Sequence, residues 1–320
     1  MSNTSLSGIP AARHWSRNLV LAAFVALWHQ DASAAQVAVD LGSASRFAIL
    51  AASEITSVPT SAIQGDVGLS PSARSRIAGL TPVEVQGTIY AADDGGAVAV
   101  MLTQAHGDLT AAYNDAAGRT PVPTGPFLNP GGANLGGLNL VPGLYKFTGG
   151  ALISGSDLTL TGGASDVWIF QVGSSLTVAD GIHVVLIGGA QAANIYWQVG
   201  TSATLGTSVI FKGSILADQS IALHTLATLE GRALARIAAV TLDSATITVP
   251  NLTTNTLTLV SADLVTGLYT YATGQSVNVA TKTVIVPASG SMRYYRILSG
   301  TAVTITTIKL LNGVVEITYR

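Results

Sequence analysis

The chain has 320 residues, 48% of them hydrophobic and only 10% charged, with 34 glycines, no cysteine and a net charge of −2. An average soluble protein carries about 25% charged residues, so this one covers its surface with Ser, Thr, Asn and Gly. Near-neutrality gives no electrostatic basis for holding nucleic acid or an anionic membrane, and a chain without Cys has neither disulfides nor thiolate metal sites.

In chain order, residues 1–34 read as a secretory signal. Arg13 and Arg17 supply the positive stretch, the run 18–28 (NLVLAAFVALW) the apolar core, and Ala32-Ser33-Ala34 a small-residue cleavage site. The apolar run is short for a bilayer span. The expectation is an exported protein, secreted or associated with the cell surface, that begins near Ala35 and has no membrane insertion after cleavage. The main domain is expected over residues 35–250, ending at the break Val249-Pro250-Asn251.

One helix is predicted, near 93–118. Val98, Met101, Leu102, Ala105, Leu109, Ala112, Tyr113 and Ala116 fall at helical spacing and make one apolar stripe. Asp93 and Asp94 near its start suit the helix dipole, and Gly118 suits its end. Pro121, Pro123, Pro126 and Pro130 then predict an irregular crossing.

The rest of the domain reads as short strands punctuated by Gly. An aliphatic or aromatic strand returns as Phe47-Ala-Ile-Leu50, Leu144-Tyr-Lys-Phe147, Val167-Trp-Ile-Phe170, Ile195-Tyr-Trp197, Ser214-Ile-Leu-Ala217 and Arg232-Ala-Leu-Ala235. From the second occurrence the steps are roughly 18 to 27 residues, the range of a solenoid repeat. A small polar strand follows each. Because alternate side chains point to opposite faces, Ser175 and Thr177 point outward with Leu176 and Val178 inward. The same parity turns Ser202, Thr204, Ser220, Ala222, Ala239 and Thr241 outward. Third strands are expected at Leu158-Thr-Leu-Thr161, Val184-Val-Leu-Ile187, Val209-Ile-Phe211, Thr228-Leu229 and Thr246-Ile-Thr248. Three strands per turn predict a three-sided β-helix, all-β dominated. The aromatic strands are apolar on both parities, so the helix stripe is expected to cover their outer side and leave the Ser/Thr side open.

Residues 251–320 alternate tightly, with turns at Ser289-Gly290, Ser299-Gly300 and Asn312-Gly313. They predict a small C-terminal antiparallel β-module, serving either as an attachment module at the cell surface or as a stability cap.

No catalytic arrangement stands out. His14, His29, His106, His183 and His224 are scattered. Asp157, Asp166, Asp180, Asp218 and Asp243 sit at strand ends, where Asp satisfies turn amides. Arg232 or Arg236 is expected to meet backbone carbonyls. The repeated hydroxyls and methyls suit an ordered surface better than a small ligand, which prefers a concave pocket. On these residues alone, a surface that orders water, a cell-surface adhesion or matrix protein, and a β-helical polysaccharide enzyme remain open.

Several stretches resemble the microbial ice-binding (antifreeze) protein family. They are Leu41-Gly42 with Phe47-Ala-Ile-Leu50, Gly65-Asp-Val-Gly-Leu-Ser-Pro71, Thr110-Ala-Ala-Tyr-Asn-Asp-Ala-Ala-Gly-Arg119 and Pro142-Gly-Leu-Tyr-Lys-Phe147. Val167-Trp-Ile-Phe-Gln-Val172, Gly188-Gly-Ala-Gln-Ala192, Tyr196-Trp-Gln-Val199, Thr204-Leu-Gly-Thr207, Gly231-Arg-Ala-Leu-Ala235, Val240-Thr-Leu-Asp243 and Thr246-Ile-Thr248 continue it in the same order. The resemblance implies a right-handed β-helix with one long α-helix alongside, adsorption to ice as the partner, inhibition of crystal growth or recrystallisation, no catalysis and no cofactor. Carried over by position, the face comprises Thr56, Ser175, Thr177, Ser202, Thr204, Ser220, Ala222, Ala239 and Thr241. The family's Thr-Ala/Gly-x-Thr/Asn pattern is met only approximately, by Ser202-Ala-Thr-Leu205 and Ala238-Ala-Val-Thr241; the full match, Thr301-Ala-Val-Thr304, lies in the other module. Glu54, Ile153 and His224 are expected to interrupt the face.

Overall fold

The computed structural model describes residues 36–250 and seven strands between Thr258 and Tyr319; the signal reading of 1–34, the three predicted turns of the C-terminal segment and Thr301-Ala-Val-Thr304 lie outside the described residues. Within 36–250 the strands form parallel ladders on three sides of a coil. The first side carries the aromatic strands, including Gly143–Phe147, Trp168–Val172 and Ile195–Val199. The second carries the small-residue strands, and the third begins with Asn139–Leu140, Leu158–Thr161 and Val184–Ile187.

Two expected third strands do not stop at a corner. Val209-Ile-Phe211 and Thr228-Leu229 run on into the next aromatic strand, giving continuous strands Ile210–Ala217 and Thr228–Ala235. Glycine makes this possible. Gly213 adopts φ +107°, and a Cβ on Gly231 would lie 1.9 Å from the Gly213 carbonyl oxygen, so a kink replaces the corner. The second corner also repeats: Gly155, Gly181, Ser208, Leu226 and Ser244 all have positive φ. The backbone N–H groups of Gly181, Ser208, Leu226 and Ser244 each donate to the neighbouring coil.

The coils are not stacked in chain order. The coil of Phe47–Ala51 packs against the last one, with Ile49 opposite Ala233, Ile55 opposite Val240 and Ile63 opposite Ile247. Its own successor lies on its far side, Leu50 opposite Gly68. The helix, α1 (Gly96–Gly118), returns the chain to the other end of the stack. Its 23 residues at about 1.5 Å each span about 34 Å, matching seven spacings of about 4.8 Å between the eight strands of the aromatic side.

The predicted stripe holds α1 in place. Leu102, Ala105, Leu109, Ala112 and Ala116 are buried with Phe47, Leu50, Leu144, Ile169, Tyr196, Leu216 and Leu234. Inside the coil the opposite parity builds an aromatic column: Tyr145, Phe170, Trp197 and Phe211 stack with centroids 5.3, 3.8 and 5.0 Å apart. Such pairs add about 0.5–1.5 kcal/mol each beyond their burial. The Gln171 amide donates to the Ala116 and Ala117 carbonyls at 2.9 and 3.1 Å, closing the C-terminal end of α1. Arg232 is buried and donates to the Ser45 carbonyl at 2.8 Å, the predicted role. Asp93 and Asp94 act differently from expectation. They precede the helix in a 3₁₀ turn, and Asp93 accepts the Arg74 N–H while Asp94 accepts the Arg74 guanidinium and the Ala91 N–H. That guanidinium holds the Asp94 carboxyl below its ordinary range.

The C-terminal strands pair antiparallel in two sheets, with Val260 opposite Arg296 and Leu311 opposite Val314.

Two tests address the helix seat. Leu109→Ala should cost about 2–5 kcal/mol in denaturant melts, whereas the exposed Thr103→Ala should stay within about 0.5–1 kcal/mol. His106 bonds the Ala51 carbonyl while its Nε2 is buried without a partner, and burial lowers its pKa from 6.5. The folded state therefore binds this proton less readily than the unfolded state, so stability is present above the ordinary value and lost as pH falls below it. Thermal melts should show that loss between pH 7 and 5, and His106→Gln should reduce it.

Candidate functional site

The second side of the coil is a ladder of seven strands: Ala151–Ile153, Leu176–Val178, Ala203–Leu205, Ile221–Leu223, Val240–Asp243, Ile55–Val58 and Ile77–Ala78. Its register is unbroken through the middle: Thr177 opposes Thr204, Thr204 opposes Ala222, Ala222 opposes Thr241, and Thr241 opposes Thr56. All five are solvent-accessible, while their neighbours Leu176, Ala203, Ile221, Val240 and Ile55 fill the core. Two residues upstream runs a second outward column of Ser175, Ser202, Ser220 and Ala239.

The backbone holds these columns in step. Leu176, Ala203 and Ile221 N–H groups donate to the Ser202, Ser220 and Ala239 carbonyls at 3.1, 2.9 and 3.0 Å. The Ser202 hydroxyl also accepts the Ser220 N–H at 3.3 Å. Every residue placed on this face by parity therefore faces outward, and Thr56 joins them on the rung beside Thr241. The strands from Leu176–Val178 to Ile55–Val58 span four spacings, roughly 19 Å. Their two outward columns carry one ionisable group, Glu54.

Three expectations about interruptions resolve differently. Ile153 is fully buried, opposite Val178, and Leu152 takes the outward place opposite Thr177. The mistake lay in the register of this end strand: Ala151-Leu-Ile153 is apolar at both parities, so its pattern cannot reveal which side faces solvent. His224 lies at the corner beyond the Thr column, where its N–H donates to the Leu205 carbonyl at 2.9 Å. Glu54 does fall in the outward Ser column, and it pairs with Arg76 at 3.5 Å. Arg76, which ends the 3₁₀ turn Arg74–Arg76, and Ala78, on the adjoining strand Ile77–Ala78, were not anticipated; nothing in the 74–78 stretch resembles the other rungs.

At the opposite end, the backbone of Gly132, Ala133 and Asn134 makes a ledge beside a depression of about 370 Å³ over Gly150, Ala151 and Leu152. Leu135 N–H donates to the Leu152 carbonyl at 2.8 Å and fixes that ledge. The third side is less uniform. Lys212 and Glu230 form an ion pair at 2.6 Å on it, Val185, Ile187 and Ile210 are exposed, and a depression of about 290 Å³ lies by Gln64 and Gln86.

Reactive groupings are not what these surfaces provide. Asp157, Asp166 and Asp180 accept turn N–H groups of His183, Gly163 and Thr207, at 2.8, 2.8 and 2.7 Å. Asp218 pairs with Arg236, and Asp243 accepts the Thr225 hydroxyl. Among the described residues, no group of three or more His, Asp or Glu could hold a metal ion.

The ice-binding-like family matches residues 49–248. An ice-binding protein of Flavobacterium frigoris is 44% identical over 217 residues, covering 66% of this chain and 76% of the relative; one from Leucosporidium is 40% identical over 225 residues, covering 67% and 84%. Among solved structures, an ice-binding protein from Arctic yeast, described in connection with antifreeze activity, superposes with a TM-score of 0.63 at 40% identity, covering 66% of this chain and 94% of its own. A Shewanella frigidimarina ice-binding protein domain gives 0.64 at 34% identity, covering 68% and 99%. A match spanning the whole coil stack, at these identities and with the same fold, places this chain in the ice-binding-like family.

Proposed function

We propose that this protein is exported and adsorbs to ice through its second β-helical side, inhibiting crystal growth and recrystallisation without catalysing a reaction. The observation that carries this reading is the unbroken register Thr177–Thr204–Ala222–Thr241–Thr56 beside the column Ser175–Ser202–Ser220–Ala239. Each rung offers hydroxyls that exchange hydrogen bonds with water and methyls that water must arrange itself around. With rungs held about 4.8 Å apart by the ladder, those groups form a fixed two-dimensional array. An array already ordered by its backbone loses little conformational entropy when it meets an ordered surface.

Flatness and neutrality support the choice of side. α1 occupies the first side, and the Lys212–Glu230 pair lies in the middle of the third, whereas the Glu54–Arg76 pair and the depression beside Gly132 lie towards the two ends of the second. Export rests on the composition of residues 1–34, and N-terminal sequencing of secreted protein should then find a start near Ala35.

The direct test is whether purified protein shapes growing ice crystals and inhibits recrystallisation. Thr204→Tyr and Thr177→Tyr should each lower that activity at least about tenfold while leaving the melting curve within about 0.5 kcal/mol of wild type, because surface rings disturb flatness and not the core. Full activity in both variants would place the ice-contacting surface elsewhere.

A further inference from the structure

Resting on that proposed face, we infer that the Glu54–Arg76 ion pair, rather than the fold, sets one end of the ice-contacting surface. The ladder itself continues past this point. Ile55 opposes Val240 and Ile77 in turn, and the Val240 N–H donates to the Glu54 carbonyl at 3.0 Å, as in the earlier rungs. The Thr column also continues, through Thr56 to Ala78. Only the Ser column changes: after Ser175, Ser202, Ser220 and Ala239 come Glu54 and Arg76.

Those two side chains differ from a Ser hydroxyl in both reach and charge. They are 33% and 57% exposed and lie 3.5 Å apart. Each is longer than serine and keeps a hydration shell around its charge. Bringing that pair against an ordered water lattice requires stripping or distorting the shell, a cost that neutral hydroxyls and methyls do not incur. An ion pair this exposed contributes little to stability, so the coil does not need it. The other end of the face is limited differently, by the backbone ledge at Gly132, Ala133 and Asn134, which no side-chain exchange would remove. Four rungs are therefore neutral in both columns, and two more are spoiled by one residue each.

The test is a double variant, Glu54→Ser with Arg76→Ser, which writes the column's own residue into both positions. The half-maximal concentration for recrystallisation inhibition should fall at least about twofold, since the neutral run grows from four rungs to six. Glu54→Ala with Arg76→Ala provides a second neutral version and should gain as well. The exchanged pair, Glu54→Arg with Arg76→Glu, retains both charges and should behave as wild type. Neutral variants that melt like wild type yet show no gain would overturn the inference, as would a gain in the exchanged pair. Thr204→Tyr run alongside separates the two levels. If it abolishes activity while the neutral variants gain nothing, only this inference fails; if it stays fully active, the proposed face fails too.

Discussion

The parallel ladder is the constraint on which this molecule depends. Each backbone N–H on one rung donates to the rung beside it, so register, once set, repeats and side-chain parity repeats with it. Thr177, Thr204, Ala222, Thr241 and Thr56 are aligned for the same reason that Leu176, Ala203, Ile221, Val240 and Ile55 are buried: they are alternate residues of strands in one register. The first side obeys the same rule with different residues. There one parity builds the column Tyr145–Phe170–Trp197–Phe211, and the other gives α1 its seat on Leu144, Ile169, Tyr196, Leu216 and Leu234.

The charge distribution follows from the same geometry. A flat side of stacked strands has no room for long ionic side chains without losing its evenness, whereas corners can hold them. Asp66 meets Arg46, Asp94 meets Arg74, Asp115 meets Arg119 and Asp218 meets Arg236 at corners or on the helix. Turn aspartates satisfy backbone amides that the corners would otherwise leave without partners. A composition poor in charge thus reflects how much of the surface is sheet.

Closing the stack requires long-range contacts. The coil of Phe47–Ala51 covers the end of the last coil, and α1 spans the distance back to the strand Gly143–Phe147. Polar groups secure the two joins: Arg232 reaches the Ser45 carbonyl, and Gln171 collects the carbonyls at the end of α1. Arg236 lies over the Tyr113 ring at 4.9 Å, tying the helix to the corner that leads into the open side.

Alternation along a strand is local, so the sequence by itself determined the outward residues from Ser175 to Thr241, the buried stripe of α1 and the three strands per turn. Where both parities are apolar the same logic is silent, which is why Ile153 and Leu152 exchanged places. The kinks at Gly213 and Gly231 were likewise invisible, because a glycine marks a corner and a continuous strand equally well. Only the tertiary structure decided that the first coil packs beside the last, bringing Thr56 next to Thr241 and Glu54 within reach of Arg76. That pairing joins residues far apart in the chain, and it is chosen by which open coil end finds a complementary core, a property no single segment carries.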